Sequence, residues 1–203
     1  MKPIEATFIR HAESTGNAGF ATPDCVSIGL TPKGFLQARE LAASWTEPPS
    51  LIVTSPYLRT QLTARPTCDR FPIVPVEVWP IQEFTYLEPS RWNGTTSAER
   101  AAAVGEYWRR GDPDYQDGPG AESFSNLLRR ANEALARLDG LSNTGRVLLF
   151  SHCQFIQAIR INRLHPGWSA SEKMTGFIDL SRSKPIPSAD TWSLSLIRQC
   201  DAH

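Results

Sequence analysis

The chain has 203 residues and carries 21 acidic and 21 basic side chains, so its formal net charge at pH 7 is zero. This balance excludes the strongly basic surface with which a protein binds nucleic acid or an acidic membrane through long-range attraction. Hydrophobic residues make up 40% of the chain and charged residues 21%, which is typical of a globular protein with a buried core. Positive charge that serves a function must therefore be concentrated locally.

In chain order, short apolar runs alternate with amphipathic runs, a pattern that predicts α/β architecture. The predicted elements are a strand at 4–10, a helix that begins at 32 with Thr31 as its N-cap, a strand at 51–55, a helix at 59–69, a strand at 73–78, helices at 96–110 and 122–141, a strand at 147–151, a helix at 154–164, and strands at 176–181 and 192–198. The run at 147–150, VLLF, is continuously apolar, which indicates that helices cover both faces of the sheet.

The cysteines and the apolar runs bear on the compartment. The four cysteines are far apart and form no CxxC pair and no Cys/His metal motif. The first five residues, MKPIE, contain no apolar segment like that of a signal peptide, and no apolar run approaches the length that spans a bilayer. We therefore expect a soluble, cytoplasmic protein with reduced thiols.

One segment is rich in glycine, proline and aspartate: residues 109–123 read RRGDPDYQDGPGAES. This composition favours a surface loop, and together with the long segment 79–95 it is expected to gather around a site. The chain has no internal repeat and no low-complexity segment, so we expect a single domain over residues 1–203.

Side chains suited to chemistry follow four of the predicted strands. Arg10 and His11 end the first, Arg59 opens the helix after the second, Glu83 follows the third, and His152 follows the strand at 147–151. Open α/β sheets bind their ligands at the carboxyl ends of the strands. If these strand ends are neighbours, two arginines, two histidines and one carboxylate converge there.

This set of groups suits phosphoryl transfer. Guanidinium groups offer paired donors that match phosphate oxygens, and nearby positive charge keeps an imidazole neutral and nucleophilic. Attack on a phosphoester would give a phosphohistidine, and a carboxylic acid could protonate the leaving oxygen and then activate water. Glu13, Glu88 and Glu122 compete with Glu83 for that role. The backbone N–H groups around residues 16 and 17 offer further donors to an anion.

Five segments resemble a known family, in that family's order. "RHAESTGN" resembles the RHGxxxxN signature of the histidine phosphatase superfamily, also called phosphoglycerate-mutase-like. The other segments are "LTPKGFLQARELA", "VTSPYLRTQLTA", "GAES" and "LLFSHCQF", and together the five extend from residue 4 to about 160. The resemblance implies a three-layer α/β/α sandwich around a mostly parallel central sheet.

The resemblance also implies roles for individual residues. His11 is expected to be the nucleophile, and Glu83 the general acid and base, because Glu83 precedes a Trp-Asn-Gly segment at 92–94. The residues expected to bind the phosphoryl group are Arg10, Ser14, Asn17, Arg59 and His152. No metal or organic cofactor is implied. The expected partner is a small phosphorylated substrate, with a phosphoprotein left open, and the oligomeric state is not predicted.

Two positions depart from the family pattern, because Ala12 and Cys153 stand where the family has a glycine after each pocket histidine. The opening Arg-His-Ala-Glu is also similar to that of short protein-phosphohistidine phosphatases in this superfamily. Two alternatives to a phosphatase stay open: a cofactor-dependent phosphoglycerate mutase, and a phosphate-binding domain without turnover. Only 38 residues separate Glu83 from Glu122, which favours hydrolysis because mutases of the family have longer loops over the site.

Overall fold

The computed structural model describes residues 4–142 and 145–196, and its centre is a five-stranded sheet. The strands are β1 (Ile4–Arg10), β2 (Leu51–Thr54), β3 (Val76–Val78), β4 (Gly145–Ser151) and β5 (Thr191–Leu196), and their order in the sheet is β3-β2-β4-β1-β5. Neighbouring strands are parallel except for β5, which pairs antiparallel with β1. The prediction of a mostly parallel sheet is confirmed.

Seven helices surround this sheet in the described part of the chain. They are α1 (Pro32–Ser44), α2 (Leu58–Arg70), α3 (Pro89–Trp92), α4 (Ser97–Arg110), α5 (Phe124–Asp139), α6 (Cys153–Leu164) and α7 (Ala170–Ser183). Helix α1 begins as expected, because the Thr31 hydroxyl accepts a hydrogen bond from the backbone N–H of Gly34. None of the helices in residues 4–142 and 145–196 has the length and apolar character needed to cross a bilayer.

Two apolar cores lie on opposite faces of the sheet. Residues 4, 6 and 8 of β1, with 147 and 149 of β4, belong to the larger core, which includes side chains of α5, α6 and α7. Residues 9, 148 and 150 belong to the smaller one, with side chains of α1 and α2 packed against it. Successive residues of a strand point to opposite faces, so β1 and β4 are buried on both sides. This is the expected three-layer sandwich.

The predicted strand at 176–181 is wrong, because these residues lie within helix α7. The helix begins with a capping box in which Ser169 and Glu172 bond each other's backbone N–H groups. Its buried side chains Met174 and Phe177 are three residues apart, which is the spacing of one helical face. A short apolar run fits a strand as well as a helix when the N-terminal capping residues are not taken into account.

Other differences are smaller. The predicted strand at 73–78 is reduced to its last three residues, and Ile73 is 94% exposed. Pro72 and Pro75 have no backbone N–H to contribute to a ladder, which limits pairing there. The four-residue helix α3 was not predicted, and residues 197 and 198 of the last predicted strand lie outside the described residues.

Candidate active site

The carboxyl ends of β1 and β4 lie side by side. Arg10, the last residue of β1, is in register with Ser151, the last residue of β4, so His11 and His152 leave neighbouring strands together. Their ring centroids are 5.1 Å apart. Arg59 reaches the same place from the first turn of α2, and its Nε donates a hydrogen bond of 3.2 Å to Nε2 of His11. Three of the five side chains expected to converge, those of His11, His152 and Arg59, therefore lie together.

The hydrogen bonds of His11 define its tautomer. Its Nδ1 lies 2.8 Å from the carbonyl oxygen of Ala12, which can only accept, so Nδ1 carries the proton. Nε2 is then unprotonated, which agrees with its accepting a bond from Arg59. Burial and the charge of Arg59 lower the pKa of His11 to about 3. At neutral pH the imidazole is thus uncharged, with the lone pair of Nε2 facing a guanidinium.

The two arginines are held by backbone carbonyls. NH1 of Arg59 donates to the carbonyl of Cys25 at 2.8 Å, and NH1 of Arg10 donates to the carbonyl of Ile186 at 2.5 Å. Each keeps donors for another partner, and Nε of Arg10 is buried with no hydrogen-bond partner among the described residues. The arrangement concentrates two permanent positive charges beside His11 in a chain whose net charge is zero.

His152 is fully buried, with its Nε2 2.7 Å from the hydroxyl of Ser55. That hydroxyl also lies 2.9 Å from the hydroxyl of Thr60 and accepts a bond from the backbone N–H of Tyr57. Nδ1 of His152 has no hydrogen-bond partner in the described structure. Burial, followed by the charge of Arg59, holds the pKa of His152 well below its usual value.

Glu83 lies in the segment after β3 and lines the same cavity as Arg59. Its Oε1 accepts hydrogen bonds from the backbone N–H groups of Gln154, at 3.0 Å, and Phe84, at 3.2 Å. Burial raises the pKa of this carboxyl, although the charge of Arg59 and these bonds oppose the rise. Glu83 is a half-buried acid that favours its protonated form more than an ordinary glutamate does.

The three competing carboxylates are already engaged elsewhere. The ion pairs are Glu13 with Lys33, Glu88 with Arg91, and Glu122 with Arg130. Hydrogen bonds from Lys33 and Thr31 lower the pKa of Glu13, which is the opposite of what an acid catalyst needs. Glu83 has no such ion pair among the described residues, and it is the member of the set that lines the cavity with Arg59.

The segment that carries Glu83 is anchored by its backbone carbonyls. NH1 of Arg130 donates to the carbonyls of Pro80, at 2.9 Å, and Gln82, at 2.8 Å. The hydroxyl of Ser151 donates to the carbonyl of Ile81 at 2.7 Å. Three successive carbonyls before Glu83 are thus tied to the rest of the fold, which restricts where its carboxyl group can lie.

Two predicted residues are not brought to this cluster by any recorded contact. The hydroxyl and backbone N–H of Ser14 both donate to Oδ1 of Asn17, at 2.9 and 3.2 Å, so the two residues close a local turn. Neither has a hydrogen bond to His11, Arg59 or His152 in the described structure. Their role in binding a phosphoryl group stays a prediction.

The cavity itself has a volume of about 200 Å³. It is bounded by the loop at 22–28, the segment at 83–93 and helix α4. Arg59 and Glu83 are among its lining residues. The predicted gathering of loops around the site therefore holds for the segment at 79–95, and the sequence at 109–123 contributes none of the lining residues in the described structure.

Comparison with known proteins is decisive about ancestry. The family model described as histidine phosphatase superfamily (branch 1) matches residues 6–180. The chain belongs to the histidine phosphatase superfamily. No curated protein sequence matches it.

Solved structures of phosphatases share this superfamily fold. An alpha-ribazole phosphatase from Shigella flexneri is 25% identical, with a TM-score of 0.66, and the match covers 85% of this chain and 84% of that one. A mycobacterial glucosyl-3-phosphoglycerate phosphatase is 22% identical, with a TM-score of 0.71 and coverage of 97% and 96%. A phosphoserine phosphatase from Entamoeba histolytica is 20% identical, with a TM-score of 0.71 and coverage of 94% and 89%. At these identities the last two show the fold alone.

The departures from the superfamily pattern cause no backbone strain. Ala12 and Cys153 both lie outside the positive-φ region, where a glycine would be needed. The methyl group of Ala12 is fully buried in a small apolar cluster with Leu30 and Ala38. Cys153 begins α6 and lines a larger cleft, which shares Tyr86, Arg100 and Val104 with the cavity of Arg59 and Glu83.

The superfamily motif "LTPKG" has a packing reason in this chain. A Cβ at Gly34 would lie 2.1 Å from the carbonyl oxygen of Glu13, which is far closer than real side chains approach. The same carbonyl accepts the backbone N–H of Thr31 at 3.0 Å. Helix α1 therefore begins in direct contact with the loop that follows His11, and only glycine permits that approach.

Sequence reasoning missed several supporting residues. Thr63 accepts from the backbone N–H of Ala12 and donates to the carbonyl of Arg59, so it joins the loop of the nucleophile to the helix of the arginine. Ser55 lies in the segment "VTSPYLRTQLTA", but nothing in a single sequence indicates that it contacts His152. The anchor formed by Arg130 depends on a contact across about 50 residues and left no local signal.

Proposed function

We propose that this chain is a phosphatase that hydrolyses a small phosphomonoester through a covalent phosphohistidine on His11. One observation carries the proposal: the unprotonated Nε2 of His11 lies within hydrogen-bond distance of the guanidinium of Arg59. A phosphoryl group bound by that guanidinium would have its phosphorus next to a neutral nitrogen nucleophile. Membership of the superfamily and likeness to phosphatases support hydrolysis as the reaction.

In the first step, Nε2 of His11 forms a bond to phosphorus while the bond from phosphorus to the ester oxygen breaks. Arg10 and Arg59 would stabilise the charge on the phosphoryl oxygens. As the new bond forms, the imidazole becomes positively charged, and its Nδ1–H bond to the carbonyl of Ala12 stabilises that charge. The same bond keeps Nε2 directed at the substrate.

Buried donors without partners support an anion at this place. Nε of Arg10 and Nδ1 of His152 are both buried and unpaired in the described structure, and such groups normally have a partner. A phosphoryl oxygen would accept from Nε of Arg10. It would also accept from Nδ1 of His152 when Ser55 donates its hydroxyl proton to Nε2 of that ring.

Glu83 would handle the proton in both steps. In the first it donates its proton to the departing ester oxygen, which leaves as an alcohol. In the second it accepts a proton from water, whose oxygen bonds to phosphorus while the bond from phosphorus to Nε2 of His11 breaks. The products are orthophosphate, free His11 and protonated Glu83. The raised pKa of Glu83 suits this exchange.

The test is hydrolysis of p-nitrophenyl phosphate by the purified chain and by His11→Ala. We expect release of phosphate from the wild type and a loss of at least about a thousandfold in kcat in the variant, as for other nucleophiles removed from enzymes. His165→Ala is the matched control, because His165 stacks on Trp168 at the end of α6 and makes no recorded contact with the cluster. Retention of activity in His11→Ala would exclude the proposed nucleophile. Interconversion of phosphoglycerates without phosphate release would show a mutase.

A further inference from the structure

The cavity beside Arg59 and Glu83 is small. Its volume of about 200 Å³ lies below the range of roughly 300–1,000 Å³ for sites that hold drug-sized ligands. The phosphoryl group occupies the end at Arg59, so the remaining space suits a group about as large as one aromatic ring. A nucleoside or a disaccharide would extend beyond it, towards the larger cleft that Tyr86, Arg100 and Val104 also line.

The wall of this cavity is mainly apolar. Its larger side chains are Tyr57, Phe84, Tyr86, Leu87, Trp92 and Val104. The rings of Phe84 and Tyr86 lie 5.1 Å apart and pack with Tyr107 and Trp108, so this side is rigid. A substrate hydroxyl placed against such a wall would lose its water without gaining a partner. The surface favours an apolar alcohol.

Two of the polar lining residues, Tyr57 and Asp24, are already engaged within the protein. The hydroxyl of Tyr57 lies 3.2 Å from the hydroxyl of Thr85. Asp24 accepts from the backbone N–H groups of Val26 and Ser27, both at 2.6 Å, and from the hydroxyl of Ser27. Because both side chains already have partners, they are less able to bind the hydroxyls of a sugar.

Two lining residues differ from these: Nε1 of Trp92 is buried without a hydrogen-bond partner in the described structure, and Arg100, on the first turn of α4, keeps a free donor. Its NH1 donates to the carbonyl and hydroxyl oxygens of Thr95, at 2.7 and 2.9 Å, which fixes the guanidinium at the cavity. Its Nε–H has no recorded acceptor, and it forms no ion pair within residues 4–142 and 145–196. A half-buried cation without a carboxylate can bind an anionic group of a ligand.

The lining of the cavity therefore combines Arg59, the proposed phosphate-binding group, with a second cation, Arg100, and a mainly apolar wall. We propose that the alcohol part of the substrate is a compact apolar group, about the size of one aromatic ring, that carries one anionic substituent bound by Arg100. This inference rests on the proposed hydrolysis of phosphomonoesters. It names Arg100 as a residue that determines specificity.

Three primary alkyl phosphates test the inference, because their leaving groups have similar reactivity. They are benzyl phosphate, 4-carboxybenzyl phosphate and glycerol 1-phosphate. We expect kcat/KM to be about 100-fold higher for benzyl phosphate than for glycerol 1-phosphate, the discrimination that a hydrophobic pocket achieves against a hydroxyl. We expect a further gain of about fivefold for the carboxylated compound, from one partly exposed ion pair.

Variants at Arg100 distinguish an ion pair with the substrate from a purely structural role of this side chain. Only the ion pair depends on whether the substrate carries a carboxylate. In Arg100→Gln the ratio of kcat/KM between the carboxylated and plain benzyl phosphates should fall to about one, and in Arg100→Lys most of it should return. Arg65→Gln is the matched control, since Arg65 lies on exposed α2 surface paired with Asp69, and it should keep the wild-type ratio.

The outcomes distinguish this inference from the function on which it rests. A wild-type ratio of one or less between the two benzyl phosphates overturns the role of Arg100. Equal hydrolysis of glycerol and benzyl phosphates overturns the apolar selection. If neither these compounds nor p-nitrophenyl phosphate releases phosphate, the proposed function itself fails.

Discussion

The buried guanidinium of Arg130 holds together the part of the fold that carries Glu83. It forms two hydrogen bonds with the carboxylate of Glu122, at 3.0 and 2.8 Å, and two with the carbonyls of Pro80 and Gln82. The side chain of Arg130 is 9% exposed and that of Glu122 is 20% exposed. Replacing Arg130 with glutamine would leave a poorly solvated carboxylate and at least one carbonyl without a donor.

The expected cost follows from that burial. Removing one partner of a buried ion pair lowers the free energy of unfolding by about 3–5 kcal/mol, because the other charge stays buried and unpaired. The neighbouring Arg129 provides the control on the same helix. It pairs with Glu133, and the two side chains are 64% and 55% exposed, so Arg129→Gln should cost only about 0.5 kcal/mol.

Urea unfolding followed by circular dichroism measures both variants. We expect Arg130→Gln to lower the midpoint sharply and Arg129→Gln to change it little. We also expect Arg130→Gln to lower kcat for alkyl phosphates more than it raises KM, because the carbonyls that it loses precede the proposed acid Glu83. Equal midpoints for the two variants would show that the Arg130 network does not hold the segment in the way its contacts indicate.

Three further predictions concern the site and its support. Gly34→Ala should lower the free energy of unfolding by about 1–3 kcal/mol, because the new methyl group overlaps the loop after the nucleophile. Gly105→Ala, in open space on α4, should raise the free energy of unfolding by about 0.5–1 kcal/mol. Thermal unfolding measures both variants, and a Gly34→Ala variant as stable as the wild type would contradict the packing. Glu83→Gln should slow alkyl phosphates more than p-nitrophenyl phosphate. Because the acid acts while protonated, kcat/KM of the wild type should fall as pH rises through the raised pKa of Glu83, and the variant should lose that limb; identical pH profiles would remove Glu83 from the role. Ser55→Ala should lower the free energy of unfolding by about 1–3 kcal/mol and weaken inhibition by inorganic phosphate, because His152 loses its hydrogen-bond partner at Nε2. An unchanged inhibition constant for phosphate would argue against a role of His152 in phosphate binding.

Much of the fold could be predicted because its signals are local. The continuous apolar run at 147–150 indicated a strand buried on both faces, and Thr31 with Pro32 marked the start of α1. The strand predicted at 176–181 was wrong because these six residues fit a strand as well as a helix. The capping box that decides for a helix begins seven residues earlier, at Ser169.

The parallel topology of the sheet was enough to predict part of the site. Strand ends meet at one edge of a parallel sheet, so the placement of His11, His152 and Arg59 followed from their order along the chain. The choice among the glutamates did not follow, because it depends on which carboxylates find cations in three dimensions. The partners of Glu122 and Glu83 are set by packing between segments far apart in sequence.

The charge state of His11 was also only partly foreseeable. The sequence indicated a neutral imidazole from nearby arginines, but the largest cause of its low pKa is burial, which only the packed fold determines. The identity of the nucleophilic nitrogen depends on the bond from Nδ1 to the carbonyl of Ala12, a contact that no pattern of residues specifies.

Trapping the phosphoenzyme tests the central claim most directly. The chain is mixed with p-nitrophenyl phosphate, quenched within the first turnovers under alkaline denaturing conditions, and digested for peptide mass spectrometry, with His11→Ala and His165→Ala treated in the same way. We predict one added phosphoryl group on His11 in the wild type and in His165→Ala, and none in His11→Ala. A phosphoryl group on another residue, or phosphate release that persists in His11→Ala, would contradict the account.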